Sequence, residues 1–322
     1  MSVTSVPPPP PHTDRPRGLK VVLFCGGQGM RIRDYDQKVP KPMVPVGYRP
    51  VLWHIMRWYA HHGHRDFILC LGHGADVIKR YFLDYDESVT NDFVLRPRDR
   101  SRLGRRDVDD GPQRQHSVEL VTDDTSDWSI GFVDTGKNAC IGERLSAVRP
   151  YLEDDEWFLA NYADGLSDAP MNDMIAHAQQ SHAERGTLAS FLKVRPSQTF
   201  HCVNTSDDGT VKSIEDVSRE ELWINGGFFT LHRNIFDHLG EGEDLVGHAL
   251  PRLIPSGRLT SWRHDGFFAA MDTFKEQQHL ANLHSEGLAP WEVWRHEKRR
   301  QRDAAVIARF QAKQPEVMRT VA

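Results

Sequence analysis

The chain has 322 residues, which is enough for one large domain or two modest ones with a sizeable core. Its 39% hydrophobic and 26% charged residues are ordinary for a globular protein, and its net charge of -5 gives no sign of nucleic-acid binding. No apolar run is long enough to cross a bilayer, so we expect neither a nucleic-acid nor a membrane partner.

The first elements alternate between strand and helix. The opening MSVTSVPPPPPHTDRPRG, residues 1–18, is proline-rich without an apolar stretch, which predicts a disordered tail and no signal peptide. LKVVLFC and DFILCLG are continuous apolar runs, typical of strands that are buried on both faces. YRPVLWHIMRWYAHHG and ADVIKRYFLDY have helical spacing of apolar residues. This alternation predicts a parallel α/β sheet.

Residues 96–116 interrupt this pattern with an arginine-rich segment. Seven arginines lie between Arg96 and Gln115 among aspartates and glycines. Two interpretations stay open: a solvated mobile loop, or a positively charged flap over phosphates or at a subunit contact.

The remaining elements complete one mixed α/β domain over residues 19–295. SVELVT, SIGFVDT, WFLANYADGLSD, TLASFLKV, VKSIEDV and WINGGFFTL are predicted strands. MNDMIAHAQQSHAERG, DLVGHALPRLIPSG and TFKEQQHLANLHSEG are predicted helices, and residues 296–322 are predicted to form a charged C-terminal helix or tail.

The cysteines and histidines do not predict a metal site. Cys25, Cys70, Cys140 and Cys202 are widely separated, and no pair has C-x-x-C spacing. Cys25 and Cys70 lie in apolar strands and are predicted to be buried free thiols, as in a reducing cytoplasm. His54 is predicted to pack within its helix.

The segment FCGGQGMRIRDYDQKVPKPMVPVG follows the first strand and concentrates glycines and cations. A dinucleotide-binding loop would need a third glycine where Ile32 stands, and an NTPase loop would need a Gly-Lys pair, which the segment lacks. What remains is Gly-Gly-x-Gly-x-Arg, made by Gly26, Gly27, Gly29 and Arg31, with Lys41 ten residues further on.

This pattern suits a nucleoside triphosphate. Glycines allow backbone N–H groups to approach phosphate oxygens, and Arg31 can pair with the β- and γ-phosphates. Lys41 lies between Pro40 and Pro42, so it loses little freedom on binding and can act as a point charge at the α-phosphate.

Two aspartates follow apolar segments further along the chain. Asp164 ends the run in NYADG, and Asp272 follows the aromatic residues in AAMDTF. Taken alone, each is more typical of a turn or a helix cap than of a functional site.

The motifs GGQGMRIR, PKPMVPVG, PVLWHIMRWY, GFVDTG, YADGLSD, INGGFF and GFFAAMDTFK occur together over Leu19–Trp294. With them the chain resembles the sugar-1-phosphate nucleotidyltransferases, and among these it is most similar to the glucose-1-phosphate cytidylyltransferases. The resemblance implies an enzyme with a Rossmann-like, mixed but mostly parallel sheet flanked by helices, with small β insertions.

The resemblance also implies the chemistry. Asp164 and Asp272 match the family's Mg²⁺ ligands, and the phosphate of a sugar 1-phosphate attacks the α-phosphorus of CTP while pyrophosphate leaves past Arg31. Lys41 stabilises the charge that builds up, and no general base is required because the nucleophile is already an anion. Glucose 1-phosphate or a related sugar phosphate is the implied acceptor, and a homo-oligomer is compatible with the family.

The resemblance assigns further residues to each substrate. The nucleotide side comprises Gly26, Gly27, Gly29, Met30, Arg31, Arg144 and Asp164, and the sugar-phosphate side comprises Glu215, Asn225, Gly226 and Gly227.

Several positions depart from the family pattern. Met30 replaces a serine or threonine, and Glu143 replaces a glycine in the base-reading stretch. Glu215-Asp216-Val217 replaces Glu-Lys-Pro, whose lysine meets the sugar phosphate; His201, Lys193 and Lys275 are candidates to restore that charge. Two alternatives therefore stay open: dTTP, UTP or GTP as the donor, or a non-catalytic nucleotide-binding regulatory homologue.

Overall fold

The computed structural model describes residues 18–27, 39–85, 93–97, 116–120, 125–196, 201–217 and 222–295. The predictions for residues 1–17, for Gly29, Met30 and Arg31, for residues 98–115 and for residues 296–322 lie outside these ranges.

A seven-stranded sheet forms the centre of the molecule. Numbered in chain order, the strands are β1 (Val21–Phe24), β2 (Pro45–Val46), β3 (Arg49–Pro50), β4 (Asp66–Leu71), β5 (Phe93–Pro97), β6 (His116–Leu120), β7 (Ser129–Asp134), β8 (Trp157–Asn161), β9 (Gly165–Ser167), β10 (Ala189–Val194), β11 (His201–Thr205), β12 (Val211–Asp216), β13 (Ile224–His232), β14 (Leu259–His264) and β15 (Phe268–Ala270). The central order is β14-β10-β13-β8-β1-β4-β7, and only β13 runs antiparallel to its neighbours. The predicted mixed, mostly parallel sheet is confirmed.

The remaining strands form four two-stranded insertions: β2 with β3, β5 with β6, β9 with β15, and β11 with β12. Arg96 and Pro97 end β5 and His116 begins β6, so both ends of the arginine-rich segment belong to a hairpin.

The strand order reverses beside β1. The chain passes from β1 through β4 to β7 on one side, and β8 then returns to the other side of β1. In such sheets the carboxyl ends of the strands leave a crevice at the reversal, where ligands bind. Gly26 follows β1 and Asp164 follows β8, so the predicted nucleotide residues flank this crevice.

Helices cover both faces of the sheet. They are α1 (Val51–His61), α2 (Ala75–Leu83), α3 (Ile141–Val148), α4 (Met171–Arg185), α5 (Leu250–Leu253) and α6 (Phe274–Ser285), with 3₁₀ turns at Lys41–Met43, Arg149–Tyr151 and Arg233–His238. The predicted helix in DLVGHALPRLIPSG is irregular: a π-helical turn, Leu245–Ala249, precedes the short α5. Pro251 has no N–H, so it cannot supply a regular helical hydrogen bond there.

Alternating side chains of β1 supply the two halves of the core. Val21 and Leu23 pack with α1, whereas Val22 and Phe24 pack with α3 and α5. The predicted burial of Cys25 and Cys70 is confirmed, and all four cysteines are free. Within the described ranges, no helix combines the length and apolarity needed to cross a membrane.

His54 anchors the segment that carries Lys41. It is fully buried on α1, its Nε2 donates to the Val46 carbonyl at 2.9 Å, and its Nδ1 accepts from the Trp291 indole N–H at 3.3 Å. Gln277 on α6 donates to the Pro45 carbonyl at 3.0 Å. These bonds hold β2 between α1 and α6, which confirms the prediction that His54 packs within its helix.

The His54→Gln variant should make stability less dependent on pH. Burial lowers the pKa of His54 to about 3, whereas an unfolded histidine titrates near 6.5. The unfolded chain therefore binds an extra proton as the pH falls below about 6.5, and the free energy of unfolding decreases toward acid by up to about 1.4 kcal/mol per pH unit. Urea unfolding at about pH 7.5, 6 and 5 measures this slope.

At about pH 7.5 we expect His54→Gln to be less stable by about 1–3 kcal/mol, since buried hydrogen bonds are lost. The difference from the wild type should narrow at each lower pH. His201, which is exposed on β11, provides the control variant His201→Gln. A His54→Gln deficit that stays constant from neutral to acid pH would show that His54 takes up no proton on unfolding.

Candidate active site

Lys41 lies between two carboxylates at the crevice. Its Nζ is 2.5 Å from Oδ2 of Asp164 and 2.5 Å from Oδ1 of Asp272. These residues are 123 and 231 positions from Lys41 in the sequence. Their side chains are 16%, 24% and 29% exposed in the order Lys41, Asp164, Asp272, so a ligand can reach all three.

Two prolines and a 3₁₀ turn position Lys41. The turn Lys41–Met43 follows Pro40 and contains Pro42, whose rings fix the backbone φ angle on both sides of the lysine. The Met43 N–H donates to the Pro40 carbonyl at 2.8 Å. The lysine backbone is thus restrained before any ligand binds, as the sequence predicted.

A tight turn after β8 positions Asp164. Ala163 has a φ of 62°, the only positive φ among the non-glycine residues of the described ranges. Its N–H donates to Oδ1 of Asn161 at 2.8 Å, which compensates for this left-handed conformation. The turn directs the chain from the strand into β9.

Pairing of β9 with β15 brings the second aspartate to the first. Gly165 lies opposite Ala270, and the Met271 N–H donates to the Asp164 carbonyl at 2.9 Å. Asp272 follows directly, and its N–H donates to the Glu276 carboxylate at 2.8 Å within the capping box of α6. Both aspartates are therefore fixed through their backbones.

The carboxylates fit a divalent cation. Asp164 Oδ2 and Asp272 Oδ1 already converge on one cationic nitrogen, and carboxylate oxygens are the ligands that Mg²⁺ prefers. Burial raises the pKa of Asp164, and Lys41 offsets this only in part. Burial lowers the pKa of Lys41, but the charges and hydrogen bonds of the two aspartates outweigh it and leave the pKa raised. The lysine is therefore an ammonium at neutral pH.

Arg144 is hydrogen-bonded to the start of the glycine loop at Gly26. It is 2% exposed, and its guanidinium donates to the carbonyls of Gly26 at 2.9 Å and Leu71 at 3.3 Å and to the Thr135 hydroxyl at 2.8 Å. A Cβ at Gly26 would lie 2.0 Å from Nη1 of Arg144, so a side chain there would displace the guanidinium. The arginine joins the ends of β1, β4 and β7.

These contacts give Arg144 a positioning function. No carboxylate contacts its guanidinium within the described part of the chain, so a buried positive charge lies beneath the loop predicted to bind phosphates. Direct contact between Arg144 and a nucleotide stays a prediction.

The Arg144→Met variant should weaken nucleotide binding and stability together. It removes three buried hydrogen bonds and the charge, so we expect a loss of about 1–3 kcal/mol of unfolding free energy. The KM for the nucleoside triphosphate should rise at least about tenfold, which Arg144→Lys should partly restore. Urea unfolding and initial rates measure the two effects, with the exposed Arg80→Met on α2 as the control. An unchanged KM in Arg144→Met would refute the positioning function.

The Asn225-Gly226-Gly227 segment opens β13 on the other side of Asp164. The Asn225 side chain accepts from the Gly227 N–H at 2.9 Å and donates to the Tyr162 hydroxyl at 3.3 Å. Gly227 has a φ of 76°, and a Cβ there would lie 2.4 Å from the Tyr162 ring. The segment is a bulge at the crevice, since its register with β10 shifts between Phe191 and Lys193.

Glu215 and Glu143 do not contact Lys41, Asp164 or Asp272 in the structure. Glu215 is exposed on the β11–β12 hairpin, and no side-chain hydrogen bond or ion pair joins it to another described residue of the site. Glu143 accepts from the Cys140 N–H at 2.8 Å in the capping box of α3, so it replaces the family's glycine with a helix cap.

Sequence reasoning missed Tyr162, Thr135, Asn161 and Glu276. The Thr-x-x-Glu spacing before α6 is a capping-box signature that could have found Glu276. The others act through contacts between strands, for which the sequence carries no local signal.

Glu156, His182 and His232 cluster at the opposite end of the sheet, with potential ligand atoms within 4.8 Å of one another. The two imidazoles stack with centroids 4.4 Å apart and planes 20° apart, so their in-plane lone pairs run side by side. His232 Nδ1 accepts from the Asn234 N–H, which leaves the proton on the nitrogen facing Glu156. This geometry is poor for a shared metal ion.

Known proteins match this chain over most of its length. The chain is 31% identical over 278 residues to glucose-1-phosphate cytidylyltransferase of Salmonella typhi, covering 86% of this chain and 100% of that protein. It is 31% identical over 281 residues to a probable glucose-1-phosphate cytidylyltransferase of Bacillus subtilis, with the same coverage. No family model matches the chain.

A solved structure has the same fold as this chain. The crystal structure of HddC from Yersinia pseudotuberculosis superposes with a TM-score of 0.55 at 16% identity, over 82% of this chain and 99% of that one. The sheet and its crevice define the nucleotide-diphospho-sugar transferase fold. The chain belongs to the glucose-1-phosphate cytidylyltransferase family of sugar-1-phosphate nucleotidyltransferases.

Proposed function

We propose that this protein transfers CMP from CTP to glucose 1-phosphate or a related sugar 1-phosphate, with Mg²⁺ as the metal, and releases pyrophosphate. The observation that carries the proposal is the meeting of Lys41, Asp164 and Asp272 beside the glycine loop. Membership of the family supports the same reaction.

Each group has a defined task in this reaction. Asp164 and Asp272 would hold Mg²⁺, which neutralises phosphate charge when it is bound. Backbone N–H groups of the loop at Gly26 and Gly27 orient the triphosphate, and no described atom would crowd a Cβ at Gly27. The Lys41 ammonium, released from the carboxylates, balances the charge that develops on the α-phosphate.

The bond changes need no protein base. An oxygen of the sugar phosphate bonds to the α-phosphorus as the bond from that phosphorus to the bridging oxygen breaks, and pyrophosphate carries the electron pair away. The nucleophile is already an anion, so the protein contributes positioning and charge stabilisation.

A nucleoside triphosphate other than CTP is an alternative donor. Glu143 caps α3 instead of providing the family's glycine, which supports testing dTTP, UTP and GTP alongside CTP. A non-catalytic regulatory homologue is the other alternative, motivated by Asp216 where the family has lysine. It would bind a nucleoside triphosphate in calorimetry without turning it over.

The test is pyrophosphate release from each of the four nucleoside triphosphates with a panel of sugar 1-phosphates and Mg²⁺. The proposal expects release with CTP to exceed release with the others. Faster release with another triphosphate selects the alternative donor, and binding without release selects the regulatory homologue.

Two further proposals concern the cellular location and the oligomeric state of the protein. Four free thiols support a cytoplasmic location. A homo-oligomer remains a proposal from the family resemblance, and light scattering of the purified protein tests it.

A further inference from the structure

Lys41 lies where a metal ion would join the two aspartates of the site. Oδ2 of Asp164 and Oδ1 of Asp272 are each 2.5 Å from its Nζ. Mg²⁺ binds carboxylate oxygens at about 2.0–2.1 Å, so an ion held by both oxygens would lie within about 4.6 Å of that nitrogen. Two cations at this separation repel each other. The ammonium and the metal ion therefore compete for the same pair of oxygens.

The lysine neutralises this pair of carboxylates from within the chain. In the part of the chain that the structure describes, no other lysine, arginine or histidine forms an ion pair with Asp164 or Asp272. Two carboxylates that faced each other without a cation would raise the free energy of the site. A metal ion that enters must therefore replace a cation that is already bound, which weakens its apparent affinity.

The three side chains differ in how far they can move. The Asp164 carbonyl accepts from the Met271 N–H at 2.9 Å, and the Asp272 N–H donates to the Glu276 carboxylate at 2.8 Å. An aspartate has a single methylene between its backbone and its carboxylate, so these oxygens stay near their positions. Lys41 has a flexible four-carbon stem, and its Nζ can leave without any change in the turn that holds its backbone.

A triphosphate would supply what each group loses in this exchange. Phosphate oxygens form strong charge-assisted hydrogen bonds with an ammonium, and they also coordinate Mg²⁺. A metal ion alone would leave the Lys41 ammonium without either aspartate, whereas a triphosphate alone would place anionic phosphates beside two carboxylates. Each ligand therefore favours the binding of the other.

We propose that Lys41 closes the metal site in the ligand-free protein, and that a divalent cation enters together with the nucleoside triphosphate, whose phosphate oxygens receive the ammonium. Lys41 then has a second task besides charge stabilisation, because it excludes free cations from the site. The inference rests on the proposed function for the identity of the triphosphate, but it concerns binding and not turnover.

The test measures Mn²⁺ binding to the full-length protein without nucleotide. Mn²⁺ prefers the same oxygen ligands as Mg²⁺, and its binding to a protein raises the relaxation rate of water protons. We expect Lys41→Met to bind Mn²⁺ at least about tenfold more tightly than the wild type. Lys41→Arg retains the charge and should stay within about threefold of the wild type. Lys79→Met on α2 removes one charge elsewhere and is the control.

Two further samples locate the bound ion. The double variant Lys41→Met/Asp272→Asn should lose the gain in affinity, because an amide replaces one of the two carboxylates. The wild type should bind Mn²⁺ tightly only with the uncleavable α,β-methylene analogue of CTP, or of the triphosphate with the fastest release. Water relaxation must then exceed that of Mn²⁺ with the analogue alone, which places the ion on the protein.

Equal Mn²⁺ affinities of the wild type and Lys41→Met overturn this inference alone, whether or not pyrophosphate is released. The same holds for tight binding that persists in the double variant, for Lys41→Arg binding as tightly as Lys41→Met, or for a wild type that gains no affinity from the analogue. If Lys41→Met does not fold, Lys41→Gln removes the same charge and takes its place. The absence of pyrophosphate release from every combination overturns the proposed function, and the Mn²⁺ affinities still decide whether Lys41 closes the site.

Discussion

Lys41→Met should lower kcat for pyrophosphate release by about 10²- to 10³-fold, the usual cost of removing one charged group that stabilises a transition state. The Nζ that contacts both Asp164 and Asp272 is then absent, and the α-phosphate loses its point charge. Methionine keeps most of the side-chain length, so the turn between Pro40 and Pro42 should persist. Single-turnover rates at saturating substrates measure the effect.

The same variant should depend on Mg²⁺ for stability more than the wild type does. Without the ammonium, the two carboxylates face each other, and a divalent cation can replace it. The thermal midpoint should therefore rise more on Mg²⁺ addition in Lys41→Met than in the control Lys79→Met. A kcat within tenfold of the wild type would remove Lys41 from the catalytic machinery.

Asp272→Asn and Asp164→Asn should each reduce turnover by about 10²-fold or more and raise the Mg²⁺ concentration needed for half-maximal rate. An amide keeps the shape of the side chain but loses the negative charge that binds a cation. Titration of initial rates with Mg²⁺ measures both effects, and the exposed Asp154→Asn is the control.

Loss of activity in one aspartate variant is not sufficient to identify that aspartate as a Mg²⁺ ligand. If either variant lost activity without any change in its Mg²⁺ requirement, that aspartate would act by positioning Lys41 and would not be a metal ligand. Equal Mg²⁺ curves for the wild type and both variants would refute the metal assignment of the pair.

The sequence predicted the sheet because buried parallel strands such as β1 and β4 are continuous apolar runs. It did not predict β14, where LTSWRH is too polar to resemble a strand buried on both faces. The pairing of β9 with β15 involves only three residues on each side. Such short pairs leave no periodic signal, so only the family resemblance connected Asp164 with Asp272.

Arg144 and Glu143 show where a motif assigns a residue but not its contacts. The resemblance placed both in the base-reading stretch, whereas the structure shows a guanidinium that holds backbone carbonyls and a carboxylate that caps a helix. The Arg144 contacts depend on where β1 and α3 meet in space, which the local sequence does not encode, whereas the Glu143 cap is local to the start of α3.

The position of Lys193 on the sugar-phosphate side could be found only from the strand register. The sequence identified a missing lysine near Asp216 and named Lys193 among its replacements. Only the alignment of β13, β10 and β14 placed Lys193 between Asn225 and Arg263.

The most direct measurement is phosphorus NMR of purified protein with CTP, glucose 1-phosphate and Mg²⁺, repeated with the other triphosphates and sugar 1-phosphates and with Lys41→Met. We expect free pyrophosphate and a new diphosphate-linked nucleotide sugar in equal amounts, with neither formed at a comparable rate by Lys41→Met. Retention of unreacted triphosphate by the wild-type protein with every triphosphate and acceptor would contradict nucleotidyl transfer at the Lys41–Asp164–Asp272 site.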